Sequence, residues 1–462
     1  MNQAAELEKL ITNSDKKVVI IDDDPTGSQT ISNLTVLTEW SIAALARELT
    51  EPGPGFFILT NSRSMPGEEA AAVNKEIGEN LARASLMTGK DFIVISRSDS
   101  TLRGHYPAET EALKTALRNT LDYDFKCDVL IPFFEEGGRY TKDDVHWIVK
   151  QGKWVPVSET EFAKDPVFGY KSSNLREWVS EKAGWLKPSA VRSISLDDLR
   201  YGGPERVYKI LTQDISTPII VNAVTYKDLE IFTIGAMRAE SSGYRFMYRT
   251  ASSFVAVRTG AASKNLMGRG EIYKNIPKDR YGGLVIAGSY VNLTTRQLSK
   301  ALELEWLKGI EVNVYKLLEP LDYEDYICQI SQMVEDTIKT GNTAVIYTTR
   351  EYIKGGPAAN SLKLGEEISR GLVEIAKRIR ANLSFVLAKG GITSHTIATQ
   401  AFNITKARVR GQVYPGISVW EPFPPSSLQG IPYIVFPGNV GDENTLKEVL
   451  EILGGANESS NL

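Results

Sequence analysis

Cysteine and histidine are scarce in this chain of 462 residues, which has two Cys and three His. Cys127 and Cys328 exclude a disulfide scaffold and any cysteine-rich zinc site. His105, His146 and His395 belong to no HExxH, so a histidine metal site would need all three to converge. An excess of one charge is missing too. Lys+Arg total 53 against 57 Asp+Glu, a net charge of −4, whereas a nucleic-acid-binding protein carries a basic excess. The same balance leaves no polybasic anchor for an anionic membrane. No run approaches the ~18 apolar residues of a membrane helix. The N-terminal MNQAAELEKLITNSDKK lacks a signal-peptide core. The expectation is a cytoplasmic protein with neither nucleic-acid nor membrane partners. The GxSxG elbow, the GxxxxGK[ST] phosphate loop and the GxGxxG fingerprint are also absent, which disfavours the commonest hydrolases, kinases and dehydrogenases.

What is present is a regular alternation of short Val/Ile-rich runs with helical-period stretches, the pattern of parallel α/β layers. In the first half the strand candidates are VVIID (18–22), FFILTN (56–61), DFIVISR (91–97), CDVLIPFF (127–134) and PIIVNAV (218–224). In the second half they are GLVIAGS (283–289), IEVNVYKL (310–317), NTAVIYTT (342–349), LSFVLAKGG (383–391) and PYIVFPG (432–438). Near the end, Leu446, Val449, Leu450 and Leu453 fall at helical spacing and make one apolar face. The segment 257–280 is basic, Gly-rich and aperiodic, and reads as a linker. It separates a first domain, 1–256, from a second, 281–462. The fold class is therefore α/β, with two domains, each a mainly parallel sheet flanked by helices, and an interdomain cleft suited to small molecules. The segment 138–175 is too polar and aromatic for a connector, and reads as a loop or hairpin covering a site.

Ligands of open parallel sheets bind beyond the carboxyl ends of the strands, and those ends carry different chemistry in the two halves. In the first they are charged: Asp22-Asp23-Asp24-Pro25-Thr26, Asn61-Ser62-Arg63, and Arg97-Ser98-Asp99-Ser100-Thr101-Leu102-Arg103. Carboxylates accept from hydroxyls and guanidinium groups clamp carboxylates, so this set suits a small acid with several hydroxyls. In the second they are small and nearly neutral: Gly288-Ser289, Lys389-Gly390-Gly391-Ile392-Thr393, and Pro437-Gly438. Backbone N–H groups of such turns suit phosphates. Each piece alone has a plainer reading. DDDPTG can be a turn and cap, Gly390-Gly391 a tight connection, and each arginine a surface ion pair. His146 reads as a packing or loop residue and His395 as a helix cap. His105 either touches a ligand or caps a helix.

Taken in order, IDDDPTGSQT, LTNSRS, SRSDSTLRGH, ETEFAKDPVFGYKSSNL, AGSYVNLTTRQL, KGGITSH and FPGNVGDENTL span nearly the whole chain. Together they resemble the four-carbon acid sugar kinase family, whose members phosphorylate acids such as threonate, erythronate and 3-oxo-tetronates with ATP. The resemblance implies an N-terminal acid-sugar domain and a C-terminal nucleotide domain. It carries Asp23, Asp24, Thr26, Asp99, Ser100 and Arg103 to the substrate side. Ser289, Gly390, Gly391, Ile392, Thr393 and Gly438 go to the ATP side. Two departures stand out: Gln29-Thr30 replace a later Asp of the family pattern, and Ile392 replaces the Glu of a GGET turn.

The expected activity is an ATP-dependent kinase of a small sugar acid. Arg63, Arg97 or Arg103 would hold the carboxylate, Asp24 or Asp99 would orient or deprotonate the hydroxyl, and Mg²⁺ would accompany ATP. A non-catalytic sensor of the same two ligands is the alternative, and a homodimer is the expected assembly.

Overall fold

The Val/Ile runs become strands because β-branched side chains pack well on a pleated surface covered on both faces. A computed structural model describes residues 3–150, 152–214, 216–262, 265–274, 281–288, 292–319, 321–349, 358–438 and 440–454. The chain divides into two units, Met1–Ser263 and Lys264–Leu462.

In the first unit the strands are β1 (Lys17–Asp22), β2 (Leu34–Leu37), β3 (Gly55–Leu59), β4 (Phe92–Arg97), β5 (Phe125–Ile131), β6 (Arg139–Lys142), β7 (Val145–Lys150), β8 (Lys153–Pro156), β9 (Arg192–Ile194), β10 (Ile219–Val221) and β11 (Arg245–Thr250). A parallel sheet runs in the order β2-β3-β1-β4-β11-β5-β10-β9. β1 and β4 are buried along their whole length, as a two-sided sheet requires. Val19, Ile21, Ile58 and Val94 pack in one core with Ile77 and Leu81 of the helix Gly67–Thr88 and with Leu113 and Leu117 of the helix Ala108–Leu121. The first of these helices stops at Gly89, whose φ of +66° glycine adopts without strain. Elsewhere in the unit, Phe232 of the helix Tyr226–Ser241 and Tyr248 of β11 both pack against Phe254 of the helix Ser252–Thr259.

Beyond the main sheet, β6, β7 and β8 form a small antiparallel sheet. Thr141 exchanges backbone hydrogen bonds with Ala223, which ties this sheet to the loop after β10. The 138–175 segment is therefore three strands followed by short 3₁₀ turns, more ordered than a hairpin.

The second unit contains β12 (Leu284–Ala287), β13 (Leu307–Val312), β14 (Thr343–Thr348), β15 (Val386–Lys389), β16 (Lys406–Tyr414), β17 (Ile417–Pro422) and β18 (Tyr433–Phe436). Five strands are parallel in the order β13-β14-β12-β15-β18, and β17 and β16 continue antiparallel. Leu446, Val449, Leu450 and Leu453 are all fully buried on the helix Thr445–Leu453. Each such side chain contributes about 1.5–3 kcal/mol of burial.

Three sequence expectations shift. The 310–317 run splits, because Asn313 caps a short helix Val314–Leu317 by accepting from the Tyr315 amide at 2.9 Å. The β16–β17 hairpin and the central β11 carry charged residues within their runs and left no clean apolar signal. Parts of 257–280 are built into the units: Val257 to Thr259 end a helix, and Met267 and Ile272 join the core of the second unit.

Candidate functional site

From β1 the chain crosses to β2 and β3 on one side and then returns to β4 on the other. At such a switch point the loops diverge and leave a crevice beyond the strand ends. Parallel register sets Asp22 opposite both Leu59 and Arg97. The turns at 22–28, 60–64 and 97–104 thus share one end of the sheet.

Each charged group there has a partner. Asp24 caps the 3₁₀ helix Pro25–Thr30, accepting from the Thr26 amide at 2.7 Å and the Thr26 hydroxyl at 2.5 Å. Arg63 donates to Asp23 through Nη2 at 2.5 Å and Nε at 3.2 Å, and to Asp24 through Nη1 at 3.2 Å. Arg97 is buried and donates to Asp22 at 3.0 Å and to Ser252 Oγ at 3.0 and 3.2 Å. Arg103 Nε donates to Asp99 at 2.6 Å, and Nη1 lies 3.6 Å from Asp165. Asp99 also accepts from the amide and hydroxyl of Thr101.

Behind these groups, Ser98 Oγ donates to Asp23 at 2.6 Å and accepts from Arg249 Nη2 at 2.8 Å. Arg249 Nη1 in turn reaches Glu109 at 2.8 Å. No sequence motif assigned a role to Ser98, Glu109 or Arg249. Arg249 lies near the end of β11, a strand whose pattern hid it. A cavity of about 30 Å³ between Asp99, Arg103, Trp178 and Arg249 has room for little more than one water.

The electrostatics follow from crowding carboxylates where water is excluded. Burial pushes the Asp22 carboxyl up to about 7 against the pull of Arg97, and Asp23 and Asp24 add to the rise. For Asp23 burial acts upward as well, but Arg63, Arg249 and Arg97 overcome it and hold the group below its ordinary value. Asp99 is likewise opposed by burial, yet Arg63 and Arg103 hold it well below the usual carboxylate range. Asp23 and Asp99 are therefore anions at neutral pH, while Asp22 titrates close to neutrality.

The histidines divide by packing. His146 is fully buried, with Nε2 at 2.8 Å from the Ser100 carbonyl and Nδ1 at 2.9 Å from Thr141 Oγ1. A carbonyl can only accept, so Nε2 carries the proton and Nδ1 accepts from the hydroxyl. Ser100, named for the substrate side, is buried and engaged through this carbonyl. Burial lowers His146 to about 4, so the ring is a neutral strut between the small sheet and the 97–104 turn. His105 lies 2.9 Å from the Met65 carbonyl and packs edge-on against Phe168.

The second unit repeats the topology with different contents. From β12 the chain runs to β13 and β14 on one side and returns to β15 on the other, setting Ala287 opposite Lys389. Gly390, at φ +109°, is the N-cap of the helix Gly391–Thr396. A Cβ on Gly288 would stand 2.9 Å from Thr393 Oγ1, so only glycine lets the 288 turn approach this helix. His395 sits in the last turn of that helix rather than at its cap. Ile392 is exposed, and Gly438 follows β18 beside open space. Ser289 lies outside the described residues.

Lys389, to which the sequence motifs gave no role, is completely buried. Nζ donates to the Pro437 carbonyl at 3.3 Å and lies 4.1 Å from the centre of the Phe436 ring. Among the described residues no carboxylate lies within ion-pair distance of it, and burial brings its pKa down to about 7. A buried lysine at a glycine turn, with no carboxylate partner among the described residues, has the chemistry to receive an anion. The one sequence signal was a cation ending an otherwise apolar strand.

Among the described residues no group of three or more His, Cys, Asp or Glu could hold a metal ion. No helix among them is long and apolar enough to cross a membrane.

Known proteins match this division. Residues 18–258 match the family model described as a sugar-binding N-terminal domain, and 284–446 match a nucleotide-binding C-terminal domain. D-threonate kinase of Salmonella typhimurium is 24% identical over 451 residues, covering 94% of this chain and 97% of the relative. Two solved structures share the fold at 17% identity and 94% coverage of this chain. A Haemophilus influenzae protein has a TM-score of 0.63 and is covered over its full length. A Salmonella typhimurium protein solved under the name of a tRNA synthase has a TM-score of 0.67 and is 98% covered. The paired domains define a protein with a sugar-binding and a nucleotide-binding unit. The chain belongs to the four-carbon acid sugar kinase family.

Proposed function

We propose that this protein transfers the γ-phosphoryl group of ATP to a hydroxyl of a four-carbon sugar acid such as threonate, erythronate or a 3-oxo-tetronate. The contrast between the two switch points supports this reading: an ionic cluster in the sugar-binding unit, and a glycine turn with a buried lysine in the nucleotide-binding unit. Hydroxyls of the acid are met by Asp24, Thr26 and Asp99. Asp24 is held in place by Thr26 and Arg63 and stays 20% exposed, and it presents a carboxylate to the attacking hydroxyl. Asp99, which Arg63 and Arg103 hold well below the usual carboxylate range, serves as a hydrogen-bond acceptor for the hydroxyls. Asp23 and Arg97 hold the cluster from beneath: Asp23 fixes Arg63, and Arg97 fixes Asp22.

On the nucleotide side Lys389, Gly390, Gly391, Thr393 and Gly438 surround the phosphates, with Ile392 at the rim. The fully buried Lys389 ammonium and the glycine turn fit a polyphosphate. Mg²⁺ would be carried largely by phosphate oxygens and waters, as that ion prefers, and would neutralise charge on them.

The test is ADP release with ATP and Mg²⁺ across a panel of four-carbon hydroxy-acids. Turnover of at least one is expected. Silence on all of them, with both ATP and an acid bound in calorimetry, would make the protein a sensor and end the kinase reading.

A further inference from the structure

The cations Arg63, Arg97, Arg103 and Arg249 all meet carboxylates of the protein itself: Asp23 and Asp24, Asp22, Asp99, and Glu109. A guanidinium already neutralised in this way has little left for an incoming acid, and taking it from a buried partner would strand that partner's charge. One arginine beside this cluster is different. Arg139 opens β6, directly after Gly137 and Gly138. Its backbone exchanges hydrogen bonds with Phe134 at 2.9 and 3.0 Å, which fixes its stem to the end of β5. Nη1 donates to the Gly137 carbonyl at 2.5 Å, while Nε is buried without a hydrogen-bond partner. No carboxylate among the described residues lies within 4 Å of the guanidinium.

The surroundings are built to keep it there. A Cβ on Gly137 would fall 1.8 Å from Nη1, so glycine provides the space that the guanidinium occupies. The Phe134 ring lies 5.8 Å below it. Asp99, Glu161 and Arg103 are near enough for their charges to act on it. His146, which it also influences, lies across the β6–β7 pairing from Thr141 and bonds the Ser100 carbonyl. Arg139 is thus held beside the turn that carries Asp99 and Arg103, with one buried donor free of a hydrogen-bond partner and no carboxylate among the described residues within 4 Å.

We propose that Arg139 is the specificity residue for the acid: its guanidinium receives the carboxylate of the sugar acid, while Asp24 and Asp99 face the hydroxyls. This rests on the sugar-acid kinase reading and goes beyond it by naming the cation. A carboxylate there supplies the missing counter-charge and an acceptor for the unpaired donor, and an uncharged polyol supplies only part of this. Neutral sugars of the same length are rejected at this position because they leave the cation unpaired.

The experiment compares the acid that the wild-type enzyme phosphorylates with its primary amide, on wild type, Arg139→Gln and Arg139→Lys. Wild type should prefer the acid strongly. Arg139→Gln should raise KM for the acid on the order of 30- to 300-fold, with kcat changed little and the preference for acid over amide largely lost. Arg139→Lys, which keeps the charge but not the fork, should recover part of that preference. KM for ATP and the melting temperature of the variants serve as folding controls, and the lysine variant decides if the glutamine variant does not fold. A folded variant whose KM for the acid stays within about threefold of wild type, or that loses acid and amide turnover equally, overturns the assignment and leaves the kinase reading standing. A wild type that turns over no acid overturns both.

Discussion

Two sheets of similar topology present opposite chemistry at the same place. In both units the first strand becomes central, the next two run to one side and the following one returns on the other, so both have a switch point, where ligands of open α/β sheets bind. In the first unit that point is packed with formal charge, each group answered by another: Arg63 with Asp23 and Asp24, Arg97 with Asp22, Arg103 with Asp99. In the second it holds backbone turns, glycine and one cation that no carboxylate among the described residues answers, Lys389. A polyhydroxy acid must be distinguished atom by atom, which needs many oriented donors and acceptors. A polyphosphate carries enough charge that backbone amides and one cation suffice. The topology supplies the position, and the residues at the strand ends decide the ligand.

This contrast can be broken at several points. The largest effect is expected from Asp24→Asn, because in the proposed reaction the altered atom faces the attacking hydroxyl. Asparagine also caps helices, so stability should change by no more than about 1 kcal/mol. At the same time kcat should fall roughly 10²–10⁴-fold. Steady-state kinetics with a melting curve checks it, and a variant that melts early but turns over normally would remove Asp24 from the chemistry.

Arg97→Met should act on folding instead, costing about 3 kcal/mol by leaving Asp22 buried without its partner. The cost depends on pH. Asp22 already has a carboxyl raised to about 7, and losing Arg97 raises it further. A carboxyl raised in the folded state adds stability at low pH, and this is lost as pH rises through the folded value. The variant should therefore be penalised more at about pH 8.5 than at about pH 6 in urea titrations. Equal penalties would mean that Asp22 is not the group responsible.

Lys389→Met should weaken ATP binding roughly 10- to 100-fold while leaving acid binding intact, measured by calorimetry on the full chain. Folding should respond with the opposite sign. The Lys389 ammonium is lowered to about 7 from 10.5, so between those values the unfolded chain binds more protons than the folded one. Wild-type stability then gains from this group as pH rises, and the methionine variant should lack that gain. A variant retaining the same pH slope would show that Lys389 is not desolvated as described.

The smallest effect is expected from Gly391→Val. Blocking the backbone approach to phosphate should cost about tenfold in ATP affinity, with acid binding unchanged. A matching loss of acid binding would mean that the effect is not local to the nucleotide side.

Much of the site is legible in the sequence because parallel α/β sheets place ligands at strand ends, and those ends can be read directly. Asp22 to Thr26, Arg63, and Arg97 to Arg103 meet at one end of one sheet. The rest is hidden for physical reasons. Arg249 lies on β11, whose RFMYRT run is interrupted by charge yet is buried at the centre of the sheet because its arginine is matched by Glu109. Arg139 lies in a segment whose polar and aromatic residues resemble a loop. They form strands because Thr141 and His146 spend their polar atoms on one another and on the neighbouring backbone. Ser100 has the sequence features of a ligand contact, and it is buried with its carbonyl held by His146.

The local pattern by itself determined the α/β class, most of the strands, the apolar face of the last helix and the placement of acidic and glycine turns at strand ends. These depend on residues close together in the chain, where periodicity and turn chemistry suffice. Only the tertiary structure decided which charges cancel. Asp23 and Arg63 are 40 positions apart, Asp22 and Arg97 are 75 and Glu109 and Arg249 are 140, and no local signal says which pairs will meet. That pairing leaves Arg139 and Lys389 as cations without carboxylate partners among the described residues, because whether a buried charge is neutralised depends on what folding brings within a few ångströms of it.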